Sequence, residues 1–206
     1  MIRDPKDLKR YNASERANHW VVGISFILLA LSGLAFFHPA FFPLTQLFGG
    51  PVWARILHPY IGVLMALAFL VIFLRFSHLN RITAADKAWL AKAKNMVDGN
   101  DHDMPEQGKY NGGQKVMFWA LAMCMLLMAL SGVAIWRAWF GFDITLVRLG
   151  AVVHAAAGAV MIALIMVHVY AAIWVKGTIR AMWYGTVTRA WAKQHHRGWY
   201  RQMTGK

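Results

Sequence analysis

Four stretches of the chain are apolar on every helical face and long enough to cross a hydrocarbon core, which takes about 20 helical residues. They are residues 20–37, 52–74, 116–136 and 146–175. None contains Asp or Glu, and the few basic residues within them stand near an end. Aromatic residues collect at the margins: Trp20, Phe36, Phe37, Trp53, Trp119, Trp136, Trp139 and Trp174. Such belts mark the two interfaces of a bilayer and argue against helices buried in a large soluble protein. The pattern predicts an all-α integral membrane four-helix bundle in a single domain over residues 1–206. A polar arm (1–18), a polar connection (76–115) and a polar tail (176–206) flank the spans.

Charge then orients the spans. The chain is 58% hydrophobic yet carries a formal net charge of +13, so its basic residues lie outside the apolar stretches. A nucleic-acid binder would not carry long uncharged apolar runs, and an anionic lipid leaflet is the better partner for this charge. The arm holds Arg3, Lys6, Lys9, Arg10 and Arg16; the 75–115 connection and the tail hold seven basic residues each. The other two connections share Arg55, Arg137 and Arg148. By the positive-inside rule both termini are cytoplasmic. The first 16 residues lack a signal-peptide core, so the first span is expected to stay as an anchor. Cys124 is the single cysteine, which excludes an internal disulfide and a Cys-x-x-Cys-His haem attachment.

Short phrases recur. Ala30-Leu31-Ser32-Gly33 returns as Ala129-Leu130-Ser131-Gly132, and His58-x-x-x-Gly62 returns as His154-x-x-x-Gly158. The offsets, 99 and 96, point to a duplicated two-helix unit. Small residues in membrane helices also serve close packing without any duplication. The duplication puts His58 and His154 at one depth, with a Gly one turn on where a flat ring can approach the backbone.

Of nine histidines, His38, His78, His102, His195 and His196 lie in connections or the tail, where solvation is the plain expectation. His19, His58, His154 and His168 lie within or beside spans, where an ionisable group is costly and functional by default. His154 and His168 are 14 residues apart, almost four turns, so they share a helix face about 21 Å apart. His58 matches His154 near the outer side, and His19 matches His168 near the inner side. Two imidazoles facing across a plane suit low-spin haem iron, and two such pairs imply two haem b groups. Zinc would need about four ligands converging on one point. Asn111-Gly112-Gly113-Gln114 opens the third span at the inner level. It reads either as an N-cap and turn or as a quinone pocket of polar side chains and bare backbone. Phe118-Trp119 aligns with His19-Trp20, so the third span has no ligand there and leaves space for a quinone.

With these residues assembled, the chain resembles the cytochrome b (gamma) subunit of membrane-bound respiratory formate dehydrogenases. The likeness covers most of the chain. It runs through Asn18-His19-Trp20, Arg55-Ile56-Leu57-His58-Pro59, Gly108-Lys109-Tyr110-Asn111-Gly112-Gly113-Gln114-Lys115 and His154-Ala155-Ala156-Ala157-Gly158. It continues in Trp174-Val175-Lys176-Gly177 and Trp191-Ala192-Lys193-Gln194-His195-His196. The resemblance implies a bacterial inner-membrane complex with a periplasmic molybdenum or tungsten catalytic subunit and an iron–sulfur subunit, assembled as a higher oligomer of the heterotrimer. It implies His58 and His154 for the periplasmic haem and His19 and His168 for the cytoplasmic one. Quinone, ubiquinone or menaquinone, is implied at Asn111, Gly113, Gln114 and His168. Gly112 departs from a small residue such as Ala, a change expected to be harmless. Formate is then oxidised by a partner outside, and quinone takes electrons and cytoplasmic protons inside. The rivals are the cytochrome b of a hydrogenase or thiosulfate reductase, a stand-alone di-haem quinone oxidoreductase such as a superoxide-oxidising cytochrome, and a redox-silent anchor. The Asn111–Lys115 signature, the basic Trp-rich tail suited to docking, and the four intramembrane histidines argue against them in turn.

Overall fold

A computed structural model describes Asp4, residues 6–98 and residues 104–205; Arg3, His102 and Lys206 lie outside the described residues. Four long helices occupy the apolar stretches: α1 (Ala13–Phe37), α2 (Pro51–Phe76), α5 (Gly112–Ile135) and α6 (Ile144–Trp174). Between α2 and α5 lie α3 (Ala84–Ala91) and α4 (Ala93–Val97); after α6 come α7 (Arg180–Tyr184), α8 (Arg189–His195) and α9 (Arg197–Thr204). A 3-10 helix, Pro39–Phe48, links α1 to α2. All four long helices are long and apolar enough to cross a membrane. Large side chains such as Val63, Leu67, Val152 and Ile173 stay exposed along them. In a bilayer that surface faces lipid, and the helical hydrogen bonds satisfy the backbone there.

The helices start earlier than hydropathy alone marks, and the reason is capping. Asn12 accepts from the Glu15 amide at 2.9 Å while Glu15 accepts from the Asn12 amide at 2.7 Å, a reciprocal box that opens α1 at Ala13 rather than at Trp20. Asn111 and Gln114 do the same for α5, at 2.9 and 3.1 Å.

The chain divides into two compact units. One comprises Ala17–Phe73 and Leu121–Met166, the greater part of the four long helices. Its core is Met65, Cys124, Met125 and Met161, with Val22, Phe26, Leu29 and Phe69 packed against it. Methionine suits this core because its unbranched thioether fills irregular gaps.

The other unit gathers the N-terminal arm, Leu74–Ala120 and Val167–Lys206. It contains a short antiparallel ribbon, β1 (Leu8–Lys9) with β2 (Thr186–Val187), an addition to the expected all-α architecture. Gly185 precedes the ribbon at φ 77°, and its carbonyl accepts from the Arg10 and Tyr11 amides. A Cβ there would meet the Tyr11 carbonyl at 2.4 Å, so only glycine fits. The core of this unit is Leu8, Ala181, Val187, Trp191, Ala192 and Trp199. The tail tryptophans at 191 and 199 are thus consumed in the chain's own packing.

Candidate functional site

His58 on α2 and His154 on α6 face each other with ring centroids 6.2 Å apart and planes inclined at 64°. Each ring is held at Nδ1 by a serine from the repeated phrase: Ser32 Oγ at 2.7 Å from His58 and Ser131 Oγ at 2.9 Å from His154. Both serines donate their hydroxyl proton back along their own helix, to Leu28 at 2.8 Å and Leu127 at 2.6 Å. A hydroxyl has one proton to give. With that proton kept on its own helix, the remaining contact is one the ring would donate, with the imidazole proton on Nδ1. That would leave the Nε2 lone pair of each available to a metal.

This arrangement fits a bis-imidazole haem. Two imidazoles on one iron, with metal–nitrogen bonds of about 2 Å, bring the ring centres to roughly 6 Å. The glycines beside the serines set the spacing. A Cβ on Gly33 would come 3.6 Å from His58 and one on Gly132 would come 3.5 Å from His154, so alanine would just touch and anything larger would push the ring away. A Cβ on Gly62 would meet nothing within 4 Å, in keeping with room beside the helix one turn after His58; on Gly158 it would rest against the Met128 terminus. Among the described residues no group of three or more His, Cys, Asp or Glu could hold a metal ion.

His19, half-buried on α1, and His168, exposed on α6, belong to different compact units. His19 packs edge-on against Trp20 at 5.9 Å. At the start of α5 the capping box commits the side-chain oxygens of both Asn111 and Gln114. Their amide NH2 groups are the donors left for a ligand. The two glycines between them face α3, not open space: a Cβ on Gly112 would meet the Asp86 carbonyl at 2.8 Å, and one on Gly113 the Trp89 ring at 3.0 Å. An alanine at 112 therefore requires α3 to shift, so the Gly112 departure matters for packing. Lys115, 8% exposed, locks the same junction by donating to Asp86 at 2.7 Å and to the Arg81 carbonyl at 3.1 Å. Burial would raise the Asp86 carboxyl, but hydrogen bonds from Lys115 and Thr83 outweigh it and hold the group below the usual carboxylate range.

Sequence reasoning missed a second cluster, centred on Arg10. Its guanidinium lies 4.9 Å from the Trp191 ring centre, 5.0 Å from Trp199 and 5.8 Å from Tyr110. It donates to the Lys109 carbonyl and contacts His196 Nε2 at 3.4 Å. His196 was expected to be solvated but is 1% exposed, its Nδ1 donating to the Gly108 carbonyl at 2.8 Å. Burial, then Arg10, pushes its pKa down to about 3, so the ring stays neutral. Of the other connection histidines, His38 and His78 are exposed and His195 is half-buried.

The prokaryotic cytochrome b561 family matches residues 10–185 of this chain. The chain is 46% identical to the formate dehydrogenase cytochrome b556(fdo) subunit of Escherichia coli (strain K12), over 94% of its own length and 92% of that protein's. Its identity to the nitrate-inducible formate dehydrogenase cytochrome b556(Fdn) subunit of the same organism is 44%, over 96% and 92%. To the formate dehydrogenase cytochrome b556 subunit of Haemophilus influenzae it is 38%, over 94% and 82%. With four membrane-length helices and a facing histidine pair already described, these likenesses identify the chain as a member of the prokaryotic cytochrome b561 family, among the formate dehydrogenase cytochrome b556 subunits.

Proposed function

We propose that this chain is the haem b electron-transfer and membrane-anchor subunit of a respiratory formate dehydrogenase in the bacterial inner membrane. It carries electrons from a periplasmic iron–sulfur subunit, fed by a molybdenum or tungsten catalytic subunit, to a quinone on the cytoplasmic side. The observation that carries the reading is the His58–His154 pair, with ring centres 6.2 Å apart and a serine at each Nδ1, which leaves each Nε2 able to ligate an iron. His58 and His154 would hold the outer haem. His19 and His168 would hold the inner one, a pairing supported by the 14-residue spacing of His154 and His168 and by the position of His19 at the opposite end of the first span from the loop leading to His58. Haem, when bound, supplies a one-electron couple. The protein's part is to fix the imidazole tautomers, space the rings and keep water from the apolar core.

Quinone reduction belongs near the start of α5, where the Asn111 and Gln114 amides remain available to donate to a carbonyl oxygen and His168 stands on α6. The basic surfaces of the arm, the 76–115 connection and the tail support cytoplasmic termini. Purification of the native complex tests this reading. We expect catalytic and iron–sulfur subunits to co-purify, about two acid-acetone-extractable haems per chain in a pyridine haemochrome assay, and haem reduction by formate. One haem per chain, or a complex lacking those subunits, would overturn it.

A further inference from the structure

We propose that Ser32 and Ser131 are paired positioning residues for the outer haem, each fixing its histidine as the Nδ1–H tautomer and together lowering the haem's midpoint potential. The inference rests on the reading of His58 and His154 as axial ligands. A serine in an apolar helix commonly does no more than bond back to the carbonyl one turn earlier or allow close packing. That role accounts for the Ser32–Leu28 and Ser131–Leu127 bonds. It does not require a ring nitrogen at 2.7 and 2.9 Å from the same two oxygens.

Because each hydroxyl proton is already committed, each oxygen presents a lone pair to the ring N–H. Ser32 is 0% and Ser131 5% exposed, so water cannot readily take over as acceptor if the hydroxyl is removed. A ring N–H that donates to oxygen makes the opposite nitrogen a stronger base toward the metal. A more basic ligand favours ferric over ferrous iron and lowers the potential. Both ligands receive this support from the same place in the repeated phrase, so the two effects act on one iron in the same direction.

The test is potentiometric titration of the haems in membranes holding the whole complex, with haem content measured alongside. Ser32→Ala and Ser131→Ala should each raise the outer potential, shifting the ferric-to-ferrous ratio several-fold at fixed poise, with the inner haem unmoved. The double variant should shift further. Ser32→Thr and Ser131→Thr keep the hydroxyl and should titrate as wild type. An unmoved potential in haem-replete alanine variants, or a threonine shift as large as the alanine one, would overturn the proposal. Should an alanine variant lose its haem, the threonine variant decides: a wild-type potential supports the role, whereas a shifted potential or missing haem overturns it. His58→Ala separates the two layers. If it leaves the outer haem in place, the ligand reading itself fails; if it removes that haem while Ser32→Ala changes nothing, only the serine inference fails.

Discussion

Tyr11 donates its hydroxyl to that of Tyr110 at 3.2 Å, and the two residues are 99 positions apart, the offset that relates Ser32 to Ser131. The Arg10 bond to the Lys109 carbonyl spans the same interval. The repeat therefore extends beyond the spans into Tyr11-Asn12-x-x-Glu15 and Tyr110-Asn111-x-x-Gln114, each a tyrosine followed by a capping box. Burial lifts the Tyr110 phenol well above its ordinary range, so that hydroxyl stays neutral.

That contact makes the first prediction. Tyr11→Phe and Tyr110→Phe should each destabilise the complex by about 0.5–1.5 kcal/mol, and the double variant by little more than either alone. Thermal loss of the haem spectrum reads this directly. Fully additive losses would mean the hydroxyls do not depend on each other.

Haem pairing makes the second. Alanine at His58 or His154 should abolish the same haem signal, and alanine at His19 or His168 the other. Absorbance and electron paramagnetic resonance of variant membranes distinguish them. Loss of the inner signal with the outer intact in His154→Ala would break the assignment by depth.

Asp86 and Lys115 form a buried pair, so removing one partner strands the other. Asp86→Ala should cost about 3–5 kcal/mol. Replacing both with apolar residues of similar size should cost much less. The Asp86 carboxyl is held low in the folded state, so its contribution is present above the unfolded carboxylate pKa. It is lost as pH falls through the folded value.

His196 supplies a second pH effect in a higher window. Its pKa is depressed to about 3, so the unfolded state binds more protons between about 6.5 and 3. Stability should be complete above about pH 6.5 and decline progressively below it. The groups acting on His196 are Arg10, the Gly108 carbonyl and His195. His196→Gln should flatten this part of the pH profile, as read by limited proteolysis of the tail. An unchanged slope between pH 6.5 and 4.5 would assign the effect elsewhere.

The four spans and the facing of His58 and His154 were legible because both follow from helix period and hydropathy. The repeated Ser-Gly was legible as a phrase but not as a ring clamp, since its partner lies 26 residues away in one copy and 23 in the other. The sequence counts Arg10 only toward the charge of the arm and leaves His196 solvated, because nothing local announces a contact across 186 positions. Gly112 and Gly113 suggested bare backbone, whereas Trp89 and Asp86 of α3, a helix too short and polar to stand out, cover them.

The start of α5 carries the final prediction. There the N-cap and quinone readings are not exclusive, because they use different atoms. Asn111 Oδ1 and Gln114 Oε1 accept from each other's backbone amides, while the two side-chain NH2 groups are donors that the cap does not need. Gln114→Glu separates the roles: glutamate keeps the accepting oxygen of the box and loses the donor. The helix should therefore keep its stability. Losing one hydrogen bond to a quinone carbonyl, at about 0.5–1.5 kcal/mol, should weaken quinone binding several-fold to about tenfold. Gln114→Leu loses cap and donor together and should show both defects. Asn111→Ala should cost about 1 kcal/mol of helix stability whatever its effect on quinone. Quinol formation and formate-driven haem reduction measured in the same membranes read the two roles apart, because haem reduction should survive in all three variants. Wild-type quinol kinetics in Gln114→Glu, alongside the expected stability loss in Asn111→Ala, would leave the cap as the only role of this loop.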